Sequence, residues 1–529
     1  MKRQLTRSIG LALVLSLVAA ALGVAAGKTE KAAPGRDVIA IEHWNENNQN
    51  GIMDANHPQS VAFAEQFGIV WESPMVPWNG GTDYLQQLRL RIAAGELPDV
   101  FMPWGGIEGE LIDNGAVADL TAMVREEMPV YYNNVPAEIW DFIKSLSPDG
   151  RSIYVLPAVQ FTPLGGMIRG DWLDRLGLPV PTTVDEYVTV LRAFRDQDAN
   201  GDGDPNNEIP TSGREGGRWM DHLFAPFGIA MVEGFPQFDI YDGKLQYSAV
   251  QPAMRSAIEW MRGLYAEGLL DPETFINTNQ VWMGKITGDL IGSWYHGVHW
   301  AGGRFTVLYN SGVTDVRLEY LPMLRHPDYD GFLTTTDYRR PGYVFGAHMS
   351  EEAIRRTMRA LEWINDPATS EERLRGYEGV NYLIEDGREV RLTTADFLAL
   401  GTGYRTSVGA QVFSNAEVIA GQNLFQMSII DPDESPEMFA AYGSLVNVNR
   451  MIDGYSRDTV RAIAGQFLPP SIYEGYPDIR THRLFQEYVA KIVVGDWGLD
   501  RFDEFVDRWY RSGGTVVTER AQEVYAALQ

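Results

Sequence analysis

Residues 198–210 read Asp-Ala-Asn-Gly-Asp-Gly-Asp-Pro-Asn-Asn-Glu-Ile-Pro. Oxygen-bearing side chains recur at every second position, Asp198, Asn200, Asp202, Asp204 and Asn206, and Glu208 closes the run. Calcium takes about six to eight oxygen ligands, and EF-hand-type loops supply them at alternating positions, with a glycine at the sixth for the sharp turn. Counted from Asp198, that sixth position is Gly203. Closing Asp198, Asp202, Asp204 and Glu208 into one compact loop sets carboxylates against each other, a repulsion that a divalent cation removes. The bidentate glutamate of an EF-hand belongs at the twelfth position, which here is Ile209, so Glu208 sits one residue early. The loop is EF-hand-like with its own closure, and the ion it implies is a structural Ca2+ that ties the end of the preceding helix to the segment beyond the loop. The competing reading is a solvated acidic turn, rich in Asn, Asp and Gly for conformational reasons.

The second chemical signal is aromatic. The chain has 14 Trp, 24 Tyr and 22 Phe. Trp172, Trp260 and Trp363 fall at helical spacing and are expected in the core. Others stand beside glycines in breaker-rich stretches: Trp78 in Pro-Trp-Asn-Gly-Gly, Trp104 in Pro-Trp-Gly-Gly, and the run Trp294-Tyr295-His296-Gly-Val-His299-Trp300-Ala-Gly-Gly. A loop aromatic offers a flat apolar face with a polar edge. Sugar rings present C–H faces that stack on such a surface, while Asn, Asp and Arg bond their hydroxyls. His296 and His299 are spaced like a metal pair, but with no third ligand in view two neutral imidazoles beside a pocket is the simpler reading. No phosphate loop, zinc helix or nucleophile elbow occurs. With 71 acidic residues, any glycosidase-type carboxylate pair would be an arbitrary choice.

The elements that must position these residues alternate between short apolar strands and amphipathic helices, which predicts an α/β architecture. Val38–Ile41 is the first expected strand and Asp99–Met102 the next, with a helix over Tyr84–Ala94 before it. Over Thr182–Phe194 a helix is expected with Thr183 as its cap, Glu186 completing a capping box, and Val184, Tyr187, Val188, Leu191 and Phe194 facing inward. Pro252–Glu267 and the segment from Ser350 to Ile364 read as helices, and Thr481–Leu528 reads as mostly helical.

Composition narrows the function classes. A chain of 529 residues exceeds one simple core at roughly 100–200 residues per domain. The balance of 44 basic to 71 acidic residues, a formal charge of −27, argues against nucleic-acid binding and against attraction to anionic lipid. Cysteine is absent, which excludes disulfides, thiolate metal sites and a lipid-modified cysteine. Residues 1–26 have the layout of a secretory signal, with Lys2, Arg3 and Arg7 ahead of an apolar run ending in Val24-Ala25-Ala26. Residues 27–37 read as a flexible tether. No further apolar run reaches membrane-spanning length, and no fixed-period repeat is present.

Several motifs then resemble one family. Ile168-Arg-Gly-Asp-Trp-Leu-Asp-Arg-Leu-Gly-Leu-Pro-Val-Pro-Thr-Thr-Val-Asp-Glu-Tyr187 resembles a stretch typical of family 1 extracellular solute-binding proteins, the capture components of ABC importers. Gly95-Glu-Leu-Pro-Asp-Val100, Asp149-Gly-Arg-Ser-Ile-Tyr-Val-Leu-Pro157, Leu264-Tyr-Ala-Glu-Gly-Leu-Leu-Asp-Pro-Glu273 and Gly376-Tyr-Glu-Gly-Val-Asn-Tyr382 are similar to further segments of that family. The 198–208 loop falls where its large alginate-binding members carry a calcium loop, with one residue more before the glutamate. The resemblance implies a two-lobe α/β periplasmic binding protein fold over 38–529, with a ligand cleft between lobes and several hinge crossings. One lobe would hold about 38–163 and 327–400, the other about 164–326 and 401–529. It implies calcium at Asp198, Asn200, Asp202, Asp204, Asn206 and Glu208, and ligand contacts from Trp104, Phe161, Trp294, Tyr295, Trp300 and Tyr343. The implied function is capture of an oligosaccharide and delivery to membrane permease subunits, by an exported, periplasmic monomer that performs no chemistry. Without a cysteine it would not be a lipoprotein. The alternative is a secreted carbohydrate-active enzyme, a lyase or glycosidase.

Overall fold

A computed structural model describes residues 38–46, 48, 58–78, 81–159, 163–335, 340–379, 381–391 and 413–527. The expected signal and tether (1–37) and Phe161 lie outside them. Apolar side chains gather in two large separate cores. The first joins Ile41, Phe63, Tyr84, Val100, Ile139 and Leu156 to Tyr343, Phe345, Met358 and Phe413. The second joins Ile168, Trp172, Tyr187, Phe194, Ile258 and Met261 to Phe485, Phe505 and Val517, with Met167, Trp282, Trp294 and Met451 forming a further layer beside it. Each core is built on its own sheet, so the molecule has two lobes.

The first lobe's sheet runs Ile69–Glu72, Ile39–Trp44, Val100–Phe101, Arg340–Phe345, Leu156–Ala158. The Ile39–Trp44 strand is parallel to both neighbours, and Arg340–Phe345 is antiparallel to both of its own. The second runs Leu318–Leu321, Leu164–Arg169, Ile291–Gly297, Ile209–Thr211. Here Leu164–Arg169 is antiparallel to both neighbours, whereas Ile209–Thr211 lies parallel to Ile291–Gly297. The chain passes between lobes after Ala158, after Thr335 and after Phe413. The first and third passages lie side by side, with Ser414 N donating to Val159 O at 2.9 Å. Leu333–Thr335 pairs with Val460–Ala462 in the second lobe, and Phe413 packs in the first core. Both passages therefore fall further along the chain than boundaries at 326/327 and 400/401. The strand's register, not any linker composition, sets them.

The expected helices form. Thr183 caps Val184–Asp196 by accepting from Glu186 N, and the Glu186 carboxylate turns back chiefly to Thr182, N and Oγ1, with the Thr183 amide a weaker partner. Val190 joins the buried stripe and Val188 is only half-buried. Pro252–Ala266 begins at its proline, and Ser350 caps Glu351–Asn365 through Ala353 N. In the second lobe the Ala301–Asn310 helix lies hard against Pro436–Ser456. A β-carbon at Gly302 would meet Ser444 Oγ at 2.4 Å, so only glycine permits that approach.

Candidate functional site

The 198–208 loop folds as a set of nested turns. Asp198 Oδ2 accepts from Gly203 N (3.1 Å), Asn200 Oδ1 from Asp202 N (3.0 Å), Asp202 Oδ1 from Asp204 N (2.8 Å) and Asp204 Oδ1 from Asn206 N (3.2 Å). Glu208 folds back beneath the turn and takes Ala199 N on Oε1 at 2.8 Å. Two carboxylate oxygens of the loop, Asp198 Oδ1 and Glu208 Oε2, are buried without a partner. Orphaned buried carboxylate oxygens are expensive unless something positive faces them, and the donor set around them is all oxygen, as calcium requires. The residues fit that ion. The turn as it stands does not draw three carboxylates together, and among the described residues no cluster of three acidic or histidine side chains is at metal-binding spacing.

The loop's neighbours explain why its shape matters. Asn200 Nδ2 donates to Asp289 O (3.3 Å), Arg175 donates to Ala199 O, and Asp289 is paired with the buried Arg169, which also grips Asp171. The loop thus links the Val184–Asp196 helix to the turn before the Ile291–Gly297 strand, and it leads directly into Ile209–Thr211, which pairs with that same strand.

Where these two parallel strands end, side chains distant in sequence converge. Ile209–Thr211 runs on into Ser212-Gly213-Arg214, and Ile291–Gly297 runs on into a short turn, Val298–Trp300, and the Ala301–Asn310 helix. Ser212 is pinned by Asp271 (2.7 Å), itself gripped by Lys285 Nζ at 2.8 and 3.0 Å. A β-carbon at Gly213 would meet Met220 Cγ at 2.4 Å, so the chain passes there only as glycine. Arg214 and Arg218 then bond each other's backbones in both directions. Three non-glycine residues around this hairpin, Glu215, Trp219 and Glu233, have left-handed φ of 52°, 64° and 54°. Such conformations cost on the order of 1–3 kcal/mol each and cluster where function demands a particular backbone.

The result is an aromatic box edged by guanidinium groups. His296 stacks on Trp219 (centroids 4.2 Å) and on Trp282 (5.8 Å), with Trp300 edge-on at 5.9 Å. Arg214 lies over Trp219 and Trp282, and Arg304 over Trp282 and Trp300, at 5.2–5.8 Å. Burial, then Arg304 and Arg214, hold the His296 imidazole well below its usual range, so it stays neutral. Trp300 is 49% exposed and forms the rim. Val298 N donates to Pro163 O (2.9 Å), so the box stands beside the first passage between the lobes.

The structure divides the expected ligand residues. Trp300 is open. Trp104 is half-buried, meets Trp78 at 5.0 Å, and lines an open groove with Leu85, Gln86 and Arg89. Trp294, Tyr295 and Tyr343 are corrections to a ligand-facing placement: all three are fully buried. Trp294 packs in the layer behind the strand, Tyr295 on the strand's other face against His222 (5.8 Å), and Tyr343 in the first core, where its hydroxyl accepts from Asn45 at 2.9 Å. Both faces of Ile291–Gly297 are covered, so alternation along that strand exposes neither. Arg214, Trp219, Trp282 and Arg304 were not foreseen. The glycine- and arginine-rich run 212–218 is the only local signal.

Behind the box Asp221 accepts from Gly234 N (2.6 Å), and burial pushes its carboxyl from 3.8 up to about 7, with the Gly234 amide opposing and Glu233 adding to the rise. The folded protein keeps this proton where the unfolded chain releases it, so the stabilisation is complete below about pH 4 and is lost as pH rises to about 7. Asp221→Asn retains the acceptor. The variant should gain on the parent in melting temperature between pH 4 and 8, and a constant difference across that range would reject the assignment.

Residues 69–222 match the family model of bacterial extracellular solute-binding proteins. The chain is 28% identical over 221 residues to the fructooligosaccharide ABC transporter substrate-binding protein FusA of Streptococcus pneumoniae, covering 38% of this chain and 40% of that one. The chain therefore spans about two fifths of that relative's length. It is 20% identical over 461 residues to the polygalacturonan/rhamnogalacturonan-binding protein YtcQ of Bacillus subtilis, covering 83% of this chain and 82% of that one. Among solved structures it is similar to an HMO binding ABC-transporter associated solute-binding protein of Bifidobacterium longum infantis (TM-score 0.66, 16% identity, 93% of this chain and 99% of that one). It is also similar to alginate-binding protein AlgQ2 without calcium ion (0.59, 19%, 94% and 100%) and to an EF-hand mutant of S. pneumoniae FusA in complex with fructo-nystose (0.62, 17%, 93% and 99%). The family match thus covers residues 69–222, and the whole chain shares its two-lobe fold with these solved solute-binding structures.

Proposed function

We propose that this protein is the exported substrate-binding component of an ABC importer, capturing an oligosaccharide between its lobes and presenting it to membrane permease subunits. The observation that carries the reading is the aromatic–arginine box beside the first passage between the lobes, on a chain whose relatives are named for sugar binding. Trp300 would stack on a sugar face, Trp104 would meet it from the first lobe, and the chain passages beside Val159, Thr335 and Ser414 would act as hinges. Periplasmic residence, with residues 1–26 removed, and a monomeric state go with this role. Among the described residues no helix is long and apolar enough to cross a membrane.

Calcium is the second part of the proposal. Asp198, Asn200, Asp202, Asp204, Asn206 and Glu208 would hold it, with the orphaned oxygens of Asp198 and Glu208 turned to the ion. The ion supplies charge neutralisation and rigidity. The loop in turn keeps Ile209–Thr211 in register and so holds Arg214 in place.

A panel of oligosaccharides tested by thermal shift on the calcium-loaded protein checks the first part. A ligand at 100 times its dissociation constant adds about 2.7 kcal/mol of stability, which is a rise of roughly 5–10 °C at about 2–4 °C per kcal/mol. Small-angle scattering should show lobe closure with the same ligand, and chromatography should show it unchanged. A hit that is cleaved would sink the binding-protein reading.

A further inference from the structure

The box carries more positive charge than its own acids balance. Arg214 is paired with Glu215 (2.6 Å), which also meets Arg218 (3.1 Å), and Arg218 is held by Glu233 (2.8 Å). Asp221, the remaining acid beside this cluster, is buried and bonded to Gly234. Arg304 is left over. It is 7% exposed and makes no hydrogen bond or ion pair among the described residues, and its Nε is buried without a partner, as is the Nε of Arg214. Its contacts are the faces of Trp282 and Trp300. Burial, then the repulsion of Arg214, lower its pKa to about 10. Two guanidinium groups crowded over one indole, in a chain of formal charge −27, make a costly arrangement for a protein with no anion to receive.

We infer that Arg304 and Arg214 form a subsite for the carboxylate of an acidic sugar, so that the oligosaccharide is one built from or containing uronate residues. The inference rests on the proposed function and adds the charge of its substrate. An arginine whose Nε edge is free presents two parallel N–H donors, the geometry that matches a planar carboxylate bidentately. Trp300 is half-exposed and lies against the Arg304 guanidinium, so a sugar ring stacked on its open side would bring a carboxylate within reach of that group. A neutral sugar would leave Arg304 desolvated and unpaired, which is how a site discriminates against ligands lacking the matching group.

The test uses the full mature chain with calcium and isothermal titration. The probes are tetrasaccharides of galacturonate, mannuronate and glucuronate, each as the free acid and as its methyl ester, with neutral gluco- and fructo-oligosaccharides and a sulfated tetrasaccharide. One acid should bind at least tenfold more tightly than its own ester, the magnitude expected of hydrogen bonds to a charged group. Arg304→Gln should bring that acid down to the level of the ester, and Arg304→Lys, which keeps the charge but loses the fork, should fall between. If Arg304→Gln does not fold, the acid-to-ester ratio on the unaltered protein still decides. Neutral sugars binding while no acid beats its ester would overturn the subsite and leave the binding-protein reading standing. Preference for the sulfated sugar would overturn the carboxylate. Silence across all probes would overturn both the subsite and the oligosaccharide reading beneath it.

Discussion

Trp294→Ala is expected to destabilise the second lobe by about 3–5 kcal/mol, the usual cost of emptying a large aromatic site in a packed interior. At about 2–4 °C per kcal/mol for a lobe of this size, its melting transition should fall by roughly 6–20 °C. The magnitude follows from position: Trp294 is fully buried among Met167, Trp282, Leu318 and Met451, between a strand and the helices that cover it. Trp300, six residues on, should behave in the opposite way. It is half-exposed and touches Arg304 and His296, so Trp300→Ala should cost under about 1 kcal/mol of stability while weakening sugar binding severalfold. Calorimetry and titration on the two variants read both effects. A Trp294→Ala protein that melts within about 2 °C of the parent would contradict the packing.

Removing calcium is expected to have the next largest effect. If the loop is loaded at about 100 times the dissociation constant, chelation removes about 2.7 kcal/mol. The second lobe should then melt roughly 5–10 °C lower and recover when calcium is returned. Glu208→Gln is the sharper form of the experiment. Its remaining oxygen still accepts from Ala199 N, but the oxygen that is orphaned and buried becomes an amide, which repels a cation. The variant should melt like the chelated protein and no longer respond to chelator. Sugar affinity should fall with it, because the loop leads through Ile209–Thr211 into Arg214. Protein shown by elemental analysis to contain calcium, yet unmoved by chelation, would rule out a structural ion.

Much of the fold was legible because local signals and tertiary demands agree. The Val184–Asp196 helix has a capping threonine, an acidic first turn and an inward stripe, and it forms as read. Pro252 and Ser350 start helices for equally local reasons. The site was less legible. In Ile291–Gly297 every residue is buried, so the period-two alternation that would tell a ligand-facing side from a core-facing side is absent. Trp294 and Tyr295 looked like surface aromatics because glycines follow them in the chain, but Gly297 and Gly302 stand against side chains rather than solvent: a β-carbon at Gly297 would meet His299 at 2.8 Å.

The sequence by itself determined the α/β class, the acidic EF-hand-like loop at 198–208, the absence of disulfides and the acidic charge balance, while the two-lobe form came from the family resemblance. Each of these is carried by residue type and short-range spacing, which persist in any conformation. Tertiary structure alone decided that Arg214 and Arg304 share one box and that Trp300 rather than Trp294 faces outward. It also decided that the loop closes on a glutamate, Glu208, with one buried and partnerless carboxylate oxygen. The physical reason is the parallel pairing of Ile209–Thr211 with Ile291–Gly297. That pairing brings together the ends of segments far apart in the chain, and it sets Arg304 beside Arg214 over one indole without an acid of its own.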